Sequence, residues 1–402
     1  MTSTRILILG AGAVGLCTAY YLAQRRQADI TVVERNRVGA GASGRAAGII
    51  TRQLWSPTGI AVRGLSVAGF RQFSQQLPGY RFADVGCLNL FHEDHIAERR
   101  QQYRLYDEHH VHHEELSASE ITRRWPAVHP RPGLMGLLDA DGGYSEPDHL
   151  LPALADGCRA LHVTLQEDCN VTGLRQRGGR TIGVDTDNGP LEADVVVCTT
   201  HMWSRALLQL HGHTLPVKAF RHQRFLTPPI DPGPVLPAIN AHPYGGYLRP
   251  ATNGAVLVGV ETPDVVEVPS NDPTFHMDRL RIDDETRLAA QEVLALLPGV
   301  AVGPWADERV GALCFSADGE PILGQLEDGT FVATAFHSGG FAYSPGAGQL
   351  LAEWITTGVP SIDITAFSPG RFRAPATEEF LARTMTQAQY NTYSAIGSPR
   401  KF

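Results

Sequence analysis

The chain has 402 residues, of which 43% are hydrophobic and 19% charged, an ordinary composition for a globular protein with a large core. Its formal net charge of −8 argues against a nucleic-acid partner, because nucleic-acid-binding proteins carry a basic face. No run of about 18 uninterrupted apolar residues is present, so no membrane span is predicted. The six cysteines are scattered without a Cys-x-x-Cys pair. They predict neither a zinc site nor a disulfide framework, and they favour a reducing, cytoplasmic compartment.

The N-terminal segment has the pattern of a Rossmann βαβ unit. Residues 6–9 form a short apolar run that predicts a buried strand, and residues 16–25 have apolar side chains at helical spacing. An apolar, β-branched run at 30–33 predicts a second strand. Strand, glycine turn, helix and strand thus follow one another within about 30 residues, the length of such a unit.

The turn after the first strand is the motif Gly10-x-Gly12-x-x-Gly15. Its first glycine permits the tight turn, its second lets backbone N–H groups approach a pyrophosphate, and its third lets the helix pack on the strand. Glu34 lies 19 residues after Gly15, at the end of the second strand, where an acid accepts hydrogen bonds from ribose hydroxyls. The segment therefore predicts a bound dinucleotide, with a merely structural glycine turn as the alternative.

A loop rich in Gly, Ala and Ser follows the acid, at residues 39–48. A flavin lies extended, so the loop after the second strand must run beside its pyrophosphate and ribityl chain. An NAD enzyme needs no such segment there. The loop therefore favours FAD over NAD.

The rest of the chain alternates between helical and extended patterns. Ser117 and Glu120 form a capping box that begins a helix, which Pro126 ends. Further helices are predicted at 61–75, 96–109, 148–161, 284–297, 345–357 and 377–387. Strands are predicted at 86–91, 133–138, 193–197 and 331–335. The run 193–197 predicts a parallel strand that returns to the N-terminal sheet, and residues 214–258 predict an antiparallel sheet.

A series of blocks in order resembles the D-amino acid oxidase family of flavoenzymes, the group that contains glycine oxidase, sarcosine oxidase and dimethylglycine dehydrogenase. Besides the nucleotide motif, the blocks are Gly-Ala-Ser-Gly-Arg-Ala-Ala-Gly at 41–48, Leu-Ser-Ala-Ser-Glu at 116–120 with Trp-Pro at 125–126, Gly-Gly-Tyr-Ser-Glu-Pro at 142–147, Tyr-Leu-Arg-Pro at 247–250, Asp-Gly-Glu-Pro-Ile-Leu-Gly at 318–324, His-Ser-Gly-Gly-Phe at 337–341 with a proline at 345, and Phe-Ser-Pro-Gly-Arg-Phe at 367–372. The resemblance covers roughly residues 4–373.

The resemblance implies an α/β fold. A Rossmann-type FAD-binding domain is built from discontinuous segments, and an α+β substrate domain contains an antiparallel sheet, with the flavin ring between the two. The segments expected for the FAD-binding domain are 1–80, 147–212 and 305–373, and those expected for the substrate domain are 81–146 and 213–304. Residues 374–402 are expected to form a C-terminal tail.

The motif and the resemblance together predict the residues that contact FAD. The set is Gly10, Gly12, Ala13, Val14, Gly15, Glu34, Arg35, Ala42, Ser43, Arg45, Ala46, Ala47, Gly48, Val171, Thr199, Gly339, Gly340, Phe341 and Ala342. Backbone N–H groups at 339–342 and the helix that follows would lie near the flavin N1 and O2 atoms, where positive potential stabilises the reduced flavin. His337 would add charge there or only cap the loop.

The FAD is predicted to be non-covalent. The cysteine that tethers the flavin in monomeric sarcosine oxidases is expected seven residues before Asp318, and that position is Gly311. Cys314 is near but out of register, and it is the alternative tether. The family's tight Gly-x-Trp turn reads His201-Met-Trp203, so a bulkier residue occupies it.

The substrate-binding residues depart from the family pattern at Leu313, where relatives often carry an arginine that holds a carboxylate. Arg52 matches in spacing the arginine of the flavin loop in sarcosine oxidase, and its planar fork suits a carboxylate. A surface or interface ion pair is the alternative. Tyr247 matches a tyrosine that donates to the substrate carboxylate in D-amino acid oxidase and glycine oxidase, with a packed core tyrosine as the alternative. Tyr244 and Arg249 are further candidates.

Together these features predict an FAD-dependent oxidoreductase that oxidises a small amine or amino acid. The substrate carries an anionic group if Arg52 binds it. A hydride leaves a C–H next to nitrogen for flavin N5, and an imine forms. The electron acceptor is oxygen or an unknown partner, because neither Lys218 nor Lys401 matches the lysine that sarcosine oxidases use with oxygen. Two alternatives stay open: a 2-hydroxy-acid or other alcohol dehydrogenase on the same fold, and a flavin-binding subunit of a larger complex.

A run of histidines at 109–113 invites a metal-binding interpretation. The run lies at the end of a polar, acidic helical segment, which favours a solvated face. No metal site is predicted.

Overall fold

The computed structural model describes residues 3–26, 28–301 and 303–395. One layer is a six-stranded sheet, here called the parallel sheet. Its strands, in spatial order, are Ile322–Gln325, Phe331–Thr334, Val195–Cys198, Thr4–Leu9, Ala28–Val33 and Thr164–Gln166. All neighbours run parallel except the first two. Since Val195–Cys198 pairs with Thr4–Leu9, the predicted return of the chain to the N-terminal sheet is confirmed.

The two faces of the parallel sheet pack into different cores, because successive side chains of a strand point to opposite faces. Ile6 and Ile8 belong to a core with four helices, whereas Leu7 and Leu9 belong to a second core. The four helices are Ala13–Gln24, Pro57–Gln76, Pro147–Ala160 and Gly340–Thr357. The second core includes the helix Ser204–Gln209 and an antiparallel sheet of the strands Val171–Arg177, Arg180–Thr186 and Gly189–Glu192.

A larger, mostly antiparallel sheet forms the other half of the molecule. Its strands, in spatial order, are Phe336–His337, Asp307–Ser316, Val217–Leu226, Val256–Val260, Gly246–Pro250, Ala238–Ala241, Cys87–His92, Leu134–Asp139 and Glu114–Ser117, with Glu267–Val268 paired beside Val217–Leu226. The predicted antiparallel sheet within 214–258 is confirmed. The helices Asp284–Leu294 and Ala118–Arg124 contribute to its core.

Short elements complete the described chain. A small sheet of Ile49–Ile50, Gly143–Ser145 and Phe82–Ala83 follows the glycine-rich loop. The remaining helices are Ile96–Arg100, Tyr103–Glu108, Ala374–Ala382 and Gln387–Ala395. Among the described residues, no helix is both long and apolar enough to cross a membrane.

Several predicted elements differ from the structure. The predicted helix 96–109 is two short helices, because the chain turns at Gln101 and Gln102. The ten-residue strand Asp307–Ser316 was not predicted, and it pairs with Val217–Leu226 over its whole length. It therefore lies in the larger sheet, although 305–373 is expected to be part of the FAD-binding domain. The domain boundaries stay a proposal.

The last long helix begins at Gly340, five residues before the predicted start at Pro345. Proline is frequent at the first helical position, which is why the sequence favours the later start. Inside a helix, proline leaves the carbonyl four residues earlier without its N–H partner. Here the Ser344 hydroxyl donates to that carbonyl, on Phe341, at 2.7 Å, so the helix tolerates the proline.

Candidate active site

A cavity of about 2200 Å³ opens between the parallel sheet and the larger sheet. Pockets for one small molecule occupy roughly 300–1,000 Å³, so this cavity has room for a dinucleotide and a substrate together. Its wall includes Gly10 and Glu34, which directly follow two strands of the parallel sheet, and His222 and Tyr247 from the larger sheet.

The glycine turn forms one end of the cavity. Gly10 has a φ of 101°, which side chains rarely adopt. Gly15 packs directly behind it, since a Cβ on Gly15 would lie 2.0 Å from the Gly10 carbonyl oxygen. The helix begins with Ala13, whose N–H donates to the Ser43 hydroxyl at 2.9 Å. Helix N-termini of this kind bind phosphate groups.

Glu34 lies beside this turn. Its carboxylate accepts the N–H groups of Ala11 and Asn36, each at 3.0 Å. Burial raises the pKa of Glu34, and the two N–H donors oppose that rise. A carboxylate offers about four acceptor positions, so two stay available for ribose hydroxyls.

The glycine-rich loop 39–48 folds closely on itself and also lies close to the backbone of Ser145. A Cβ on Gly44 would lie 2.5 Å from the carbonyl oxygen of Gly39. Gly48 has a φ of 75°, and a Cβ on it would lie 2.0 Å from the carbonyl oxygen of Ser145. Both positions therefore require glycine.

Two arginines connect this loop to the larger sheet and its neighbours. Arg309, on the strand Asp307–Ser316, donates to the Gly44 carbonyl at 2.7 Å and to the Asp148 carboxylate at 2.7 and 2.8 Å. Arg45 forms an ion pair with Asp278. The loop is thus held from the side of the larger sheet as well as by the parallel sheet.

All of the predicted cofactor residues except Gly15 line the cavity, and Gly15 supports the turn from behind. One of these residues is Arg35, whose guanidinium carbon lies 4.1 Å from the centre of the Trp203 ring. Trp203 lies two residues after His201, which stands where the family that the sequence resembles has a glycine and has a φ of 54°. Burial lowers the pKa of His201 to about 4, and its Nε2 lies 3.0 Å from the Ala312 carbonyl oxygen.

The long helix Gly340–Thr357 directs its N-terminus at the cavity, where residues 339–342 form part of the wall. His337 also lines the cavity. Its ring packs against Phe315, with 4.4 Å between ring centroids, and its Nδ1 lies 3.0 Å from the Ser338 hydroxyl. The loop that contains His337 and the N-terminus of the helix Gly340–Thr357 therefore lie together in the cavity wall.

Arg52 does not line the cavity, which argues against its predicted role as the substrate anchor. Its guanidinium donates to the carbonyl oxygens of His109 and His110 at 2.8 and 3.1 Å. The neighbours on either side, Thr51 and Gln53, do line the cavity. Because successive side chains of an extended segment point to opposite sides, Arg52 points away and supports the end of the helix Tyr103–Glu108.

Tyr244 and Arg249 are likewise absent from the cavity wall. The Tyr244 hydroxyl accepts the N–H of Arg131 at 2.8 Å, so its role is structural. Arg249 is fully buried, and its guanidinium meets both carboxylate oxygens of Glu146 at 2.7 and 2.8 Å. It also donates to the Ala47 carbonyl, so it supports the glycine-rich loop from outside the cavity.

Tyr247 does line the cavity, and the structure gives it a partner that the sequence did not reveal. Its hydroxyl lies 2.9 Å from Nε2 of His222. Burial lowers the pKa of His222 to about 4 and raises the pKa of Tyr247. Both side chains are therefore neutral at neutral pH and offer hydrogen bonds without charge, beside the Glu261 carboxylate, which also lines the cavity.

A chain of side-chain amides lines the cavity near its Thr51 side. Gln53 Nε2 donates to the carbonyl oxygen of His112, at 2.9 Å, which leaves Gln53 Oε1 to accept from Asn89. Asn89 Oδ1 in turn accepts from Asn240 at 2.6 Å. Since a backbone carbonyl can only accept, the direction of the whole chain is set, and Asn240 keeps its Oδ1 as a free acceptor within the described residues.

Sequence reasoning missed several residues of the wall. They are Gln53, Arg63, Asn89, His222 and Asn240, together with Gln387 and Asn391 from the predicted tail. Arg63 carried one signal: it shares an apolar helix stripe with Ile60 and Val67, where a charge is unusual. The other positions had no local pattern, because they come from separate strands and helices.

Cys314 and Lys218 also lie outside the cavity wall. Burial raises the pKa of the Cys314 thiol to about 12, so this cysteine is a weak nucleophile. Gly311 lines the cavity, against the side chain of Arg45. The Lys218 ammonium pairs with Glu267 at 2.8 Å.

Residues 5–354 match the family described as DAO, FAD dependent oxidoreductase. The chain belongs to this family. The glycine turn, the Glu34 carboxylate and the glycine-rich loop form a cradle that fits FAD, since Gly12 leaves room beside the helix N-terminus, with only the Ser43 hydroxyl near its missing Cβ, at 3.1 Å.

Three relatives within the family are similar to this chain. It is 28% identical over 385 residues to 4-methylaminobutanoate oxidase (formaldehyde-forming) of Paenarthrobacter nicotinovorans, over 92% of this chain and 46% of the relative. It is 28% identical to glycine oxidase of Pseudomonas putida, over 91% of this chain and 98% of the relative. It is 26% identical to sarcosine oxidase subunit beta of Rhodobacter capsulatus, over 88% and 85%. The chain thus spans about half the length of some curated relatives and most of others.

Solved structures share the fold. L-Proline dehydrogenase from P. horikoshii superposes with a TM-score of 0.84 at 23% identity, over 92% of this chain and 98% of the other. Glycine oxidase from Geobacillus kaustophilus gives a TM-score of 0.78 at 22% identity, over 92% and 100%. The predicted α/β fold, with a Rossmann-type parallel sheet and a large antiparallel sheet, is confirmed.

Replacing Glu34 with alanine is expected to lower the affinity for FAD by roughly ten- to a hundredfold. The change removes acceptors of charge-assisted hydrogen bonds worth about 1.5–3 kcal/mol. Isothermal titration calorimetry of FAD into flavin-free protein measures this affinity. Glu192→Ala, which removes a surface partner of Arg5, is the control. An unchanged FAD affinity in the Glu34 variant would show that the ribose lies elsewhere.

Proposed function

We propose that this chain binds FAD without a covalent link and oxidises a small amine or amino acid at a C–H next to nitrogen, giving an imine. The observation that carries the proposal is the neutral pair of His222 and Tyr247 in the wall of the same cavity as the nucleotide cradle. The relatives named above support it, since glycine, sarcosine, 4-methylaminobutanoate and L-proline all carry an amine.

The neutral pair suits an amine for an electrostatic reason. A buried, uncharged environment disfavours an ammonium ion and favours the neutral amine, whose lone pair assists hydride loss from the neighbouring carbon. His222 and Tyr247 can hydrogen-bond to the amine or to a nearby polar group of the substrate. These side chains would therefore orient the substrate, and because they are neutral they add no negative charge that would favour the ammonium ion.

Asn240 extends this recognition surface. Its free Oδ1 is an acceptor held in place by Asn89 and Gln53, and it would bind an N–H or O–H donor of the substrate. Bound FAD would supply the hydride acceptor at N5. The protein's tasks are to bring the C–H close to that atom and to exclude water.

A second candidate is a flavin-binding component of a larger assembly. It is favoured by the match to sarcosine oxidase subunit beta, which is named as one subunit of an enzyme. In that case the chain would bind FAD, and amines would leave the flavin oxidised unless a partner were present.

An anaerobic substrate screen distinguishes these candidates. The FAD-loaded chain is mixed with N-methyl amino acids, glycine, D- and L-amino acids and 2-hydroxy acids, and flavin absorbance is followed. We expect an amine to bleach the flavin and the hydroxy acids to have no effect. Bleaching by a hydroxy acid alone would contradict amine oxidation, and no bleaching by any compound would favour the component of an assembly.

Variants of the neutral pair locate the chemistry within the cavity. Tyr247→Phe is expected to slow flavin reduction by the best amine by roughly tenfold, the cost of about one hydrogen bond. Arg52→Ala is the matched control, because its side chain points away from the cavity, and it is expected to leave the reduction rate unchanged. A slow Arg52→Ala variant with a normal Tyr247→Phe variant would contradict the site as proposed.

Acid precipitation tests the non-covalent link. We expect all of the flavin to stay in the supernatant, because Gly311 has no side chain to tether it and the Cys314 thiol lies outside the cavity wall with its pKa near 12. Flavin that stays with the precipitated protein would contradict the proposal. Mass spectrometry of the resulting flavin peptide would then identify the tether.

A further inference from the structure

Arg63 is a buried cation without a matching anion. It lies within the helix Pro57–Gln76, is 5% exposed and lines the cavity. In the described part of the chain it makes no ion pair, whereas Arg45 and Arg309, which also line the cavity, pair with Asp278 and Asp148. Burying an unpaired charge is costly, so an anionic group is expected opposite it.

The position of the Arg63 guanidinium is well defined. One nitrogen donates to the Thr51 carbonyl at 3.2 Å, and the guanidinium carbon lies 4.2 Å from the centre of the Tyr343 ring. Its other terminal nitrogen fills the space beside Gly339, where a Cβ would come within 2.0 Å of it. The Nε atom is buried without a hydrogen-bond partner.

Two of these contacts belong to segments that the cofactor site requires. Thr51 follows the glycine-rich loop, and Gly339 immediately precedes the helix Gly340–Thr357. Both residues line the cavity. The guanidinium therefore lies between the segment that follows the glycine-rich loop and the N-terminus of the helix. Its positive charge adds to the partial positive charge of that helix end.

We propose that Arg63 faces the pyrimidine side of the FAD ring system and stabilises its reduced form. Two electrons and one proton convert oxidised flavin into an anion whose charge is shared by N1 and O2. A fixed guanidinium beside these atoms stabilises this anion more than it stabilises the neutral oxidised ring. The inference rests on the proposed FAD site and on no particular substrate.

The alternative role for Arg63 is to bind a carboxylate of the substrate. Its contacts favour the flavin, because they connect two segments of the cofactor cradle rather than the wall that carries His222 and Tyr247. The two roles also differ in a measurable way: only a partner of the flavin changes the flavin's properties when no substrate is present.

The test compares the FAD-loaded wild type with Arg63→Met and Arg63→Lys in redox titrations with dithionite and in sulfite titrations. Sulfite adds to N5 and places a negative charge on the same side of the ring. For Arg63→Met we expect the preference for reduced over oxidised FAD to fall at least about tenfold, which lowers the midpoint potential by about 30 mV or more for a two-electron couple. The sulfite Kd should rise by a similar factor. Arg63→Lys should give a smaller change, since it keeps the charge.

Arg99→Met is the matched control. Arg99 also lines the cavity, but its guanidinium lies over the Phe91 ring, 5.1 Å from its centre. We expect its potential and its sulfite Kd to equal those of the wild type. Equal shifts in the two methionine variants would overturn the proposal, because the effect would then come from the net charge of the cavity.

Gly339→Ala supplies an independent test that keeps the arginine, and it serves if Arg63→Met fails to fold. Its methyl group would displace the guanidinium, so a lower potential and weaker sulfite binding are expected. The proposal is overturned if both Arg63→Met and Gly339→Ala keep the wild-type potential. If Arg63→Met does not fold, a wild-type potential in Gly339→Ala alone overturns it. No amine is used in these measurements, so their failure and a failure of amine oxidation are distinguishable.

Discussion

The close contact of the glycine-rich loop with two layers of the protein determines the shape of the cavity. On one side, the Ser43 hydroxyl caps the first helix of the parallel sheet. On the other, Arg309 of the larger sheet donates to the Gly44 carbonyl. Gly48 reaches the small sheet so closely that any side chain would overlap the backbone of Ser145. A displacement of this loop would therefore separate the nucleotide cradle from the wall that carries Tyr247.

Charge is distributed unevenly around this cavity. Near the glycine-rich loop, three arginines each pair with a carboxylate: Arg45, Arg309 and Arg249. These pairs support the loop without adding a net charge. In the wall formed by the larger sheet, His222 and Tyr247 are neutral. The unpaired guanidinium of Arg63 lies beside the N-terminus of a long helix. The positive charge of Arg63 thus lies where a reduced flavin would need it, whereas His222 and Tyr247 add no charge of their own to the opposite wall.

The nucleotide cradle could be predicted from the sequence because its parts are local. The glycines and Glu34 follow one another within one βαβ unit, and their spacing determines their geometry. Arg52 was predicted to face the substrate from its spacing alone, and spacing along the chain does not tell which side of an extended segment a residue occupies. His222, Asn89 and Asn240 come from three strands of the larger sheet, and only the strand pairing brings them to one wall.

The proposed chemistry requires FAD to lie along the glycine-rich loop, between the two sheets. Hydrogen–deuterium exchange of the full-length chain with and without FAD measures this directly. Bound FAD should slow amide exchange in three segments at once: the glycine turn at 10–15, the loop at 39–48 and the helix start at 339–342. Protection of the glycine turn alone, with unchanged exchange in the other two segments, would contradict the account and place the flavin ring outside this cavity.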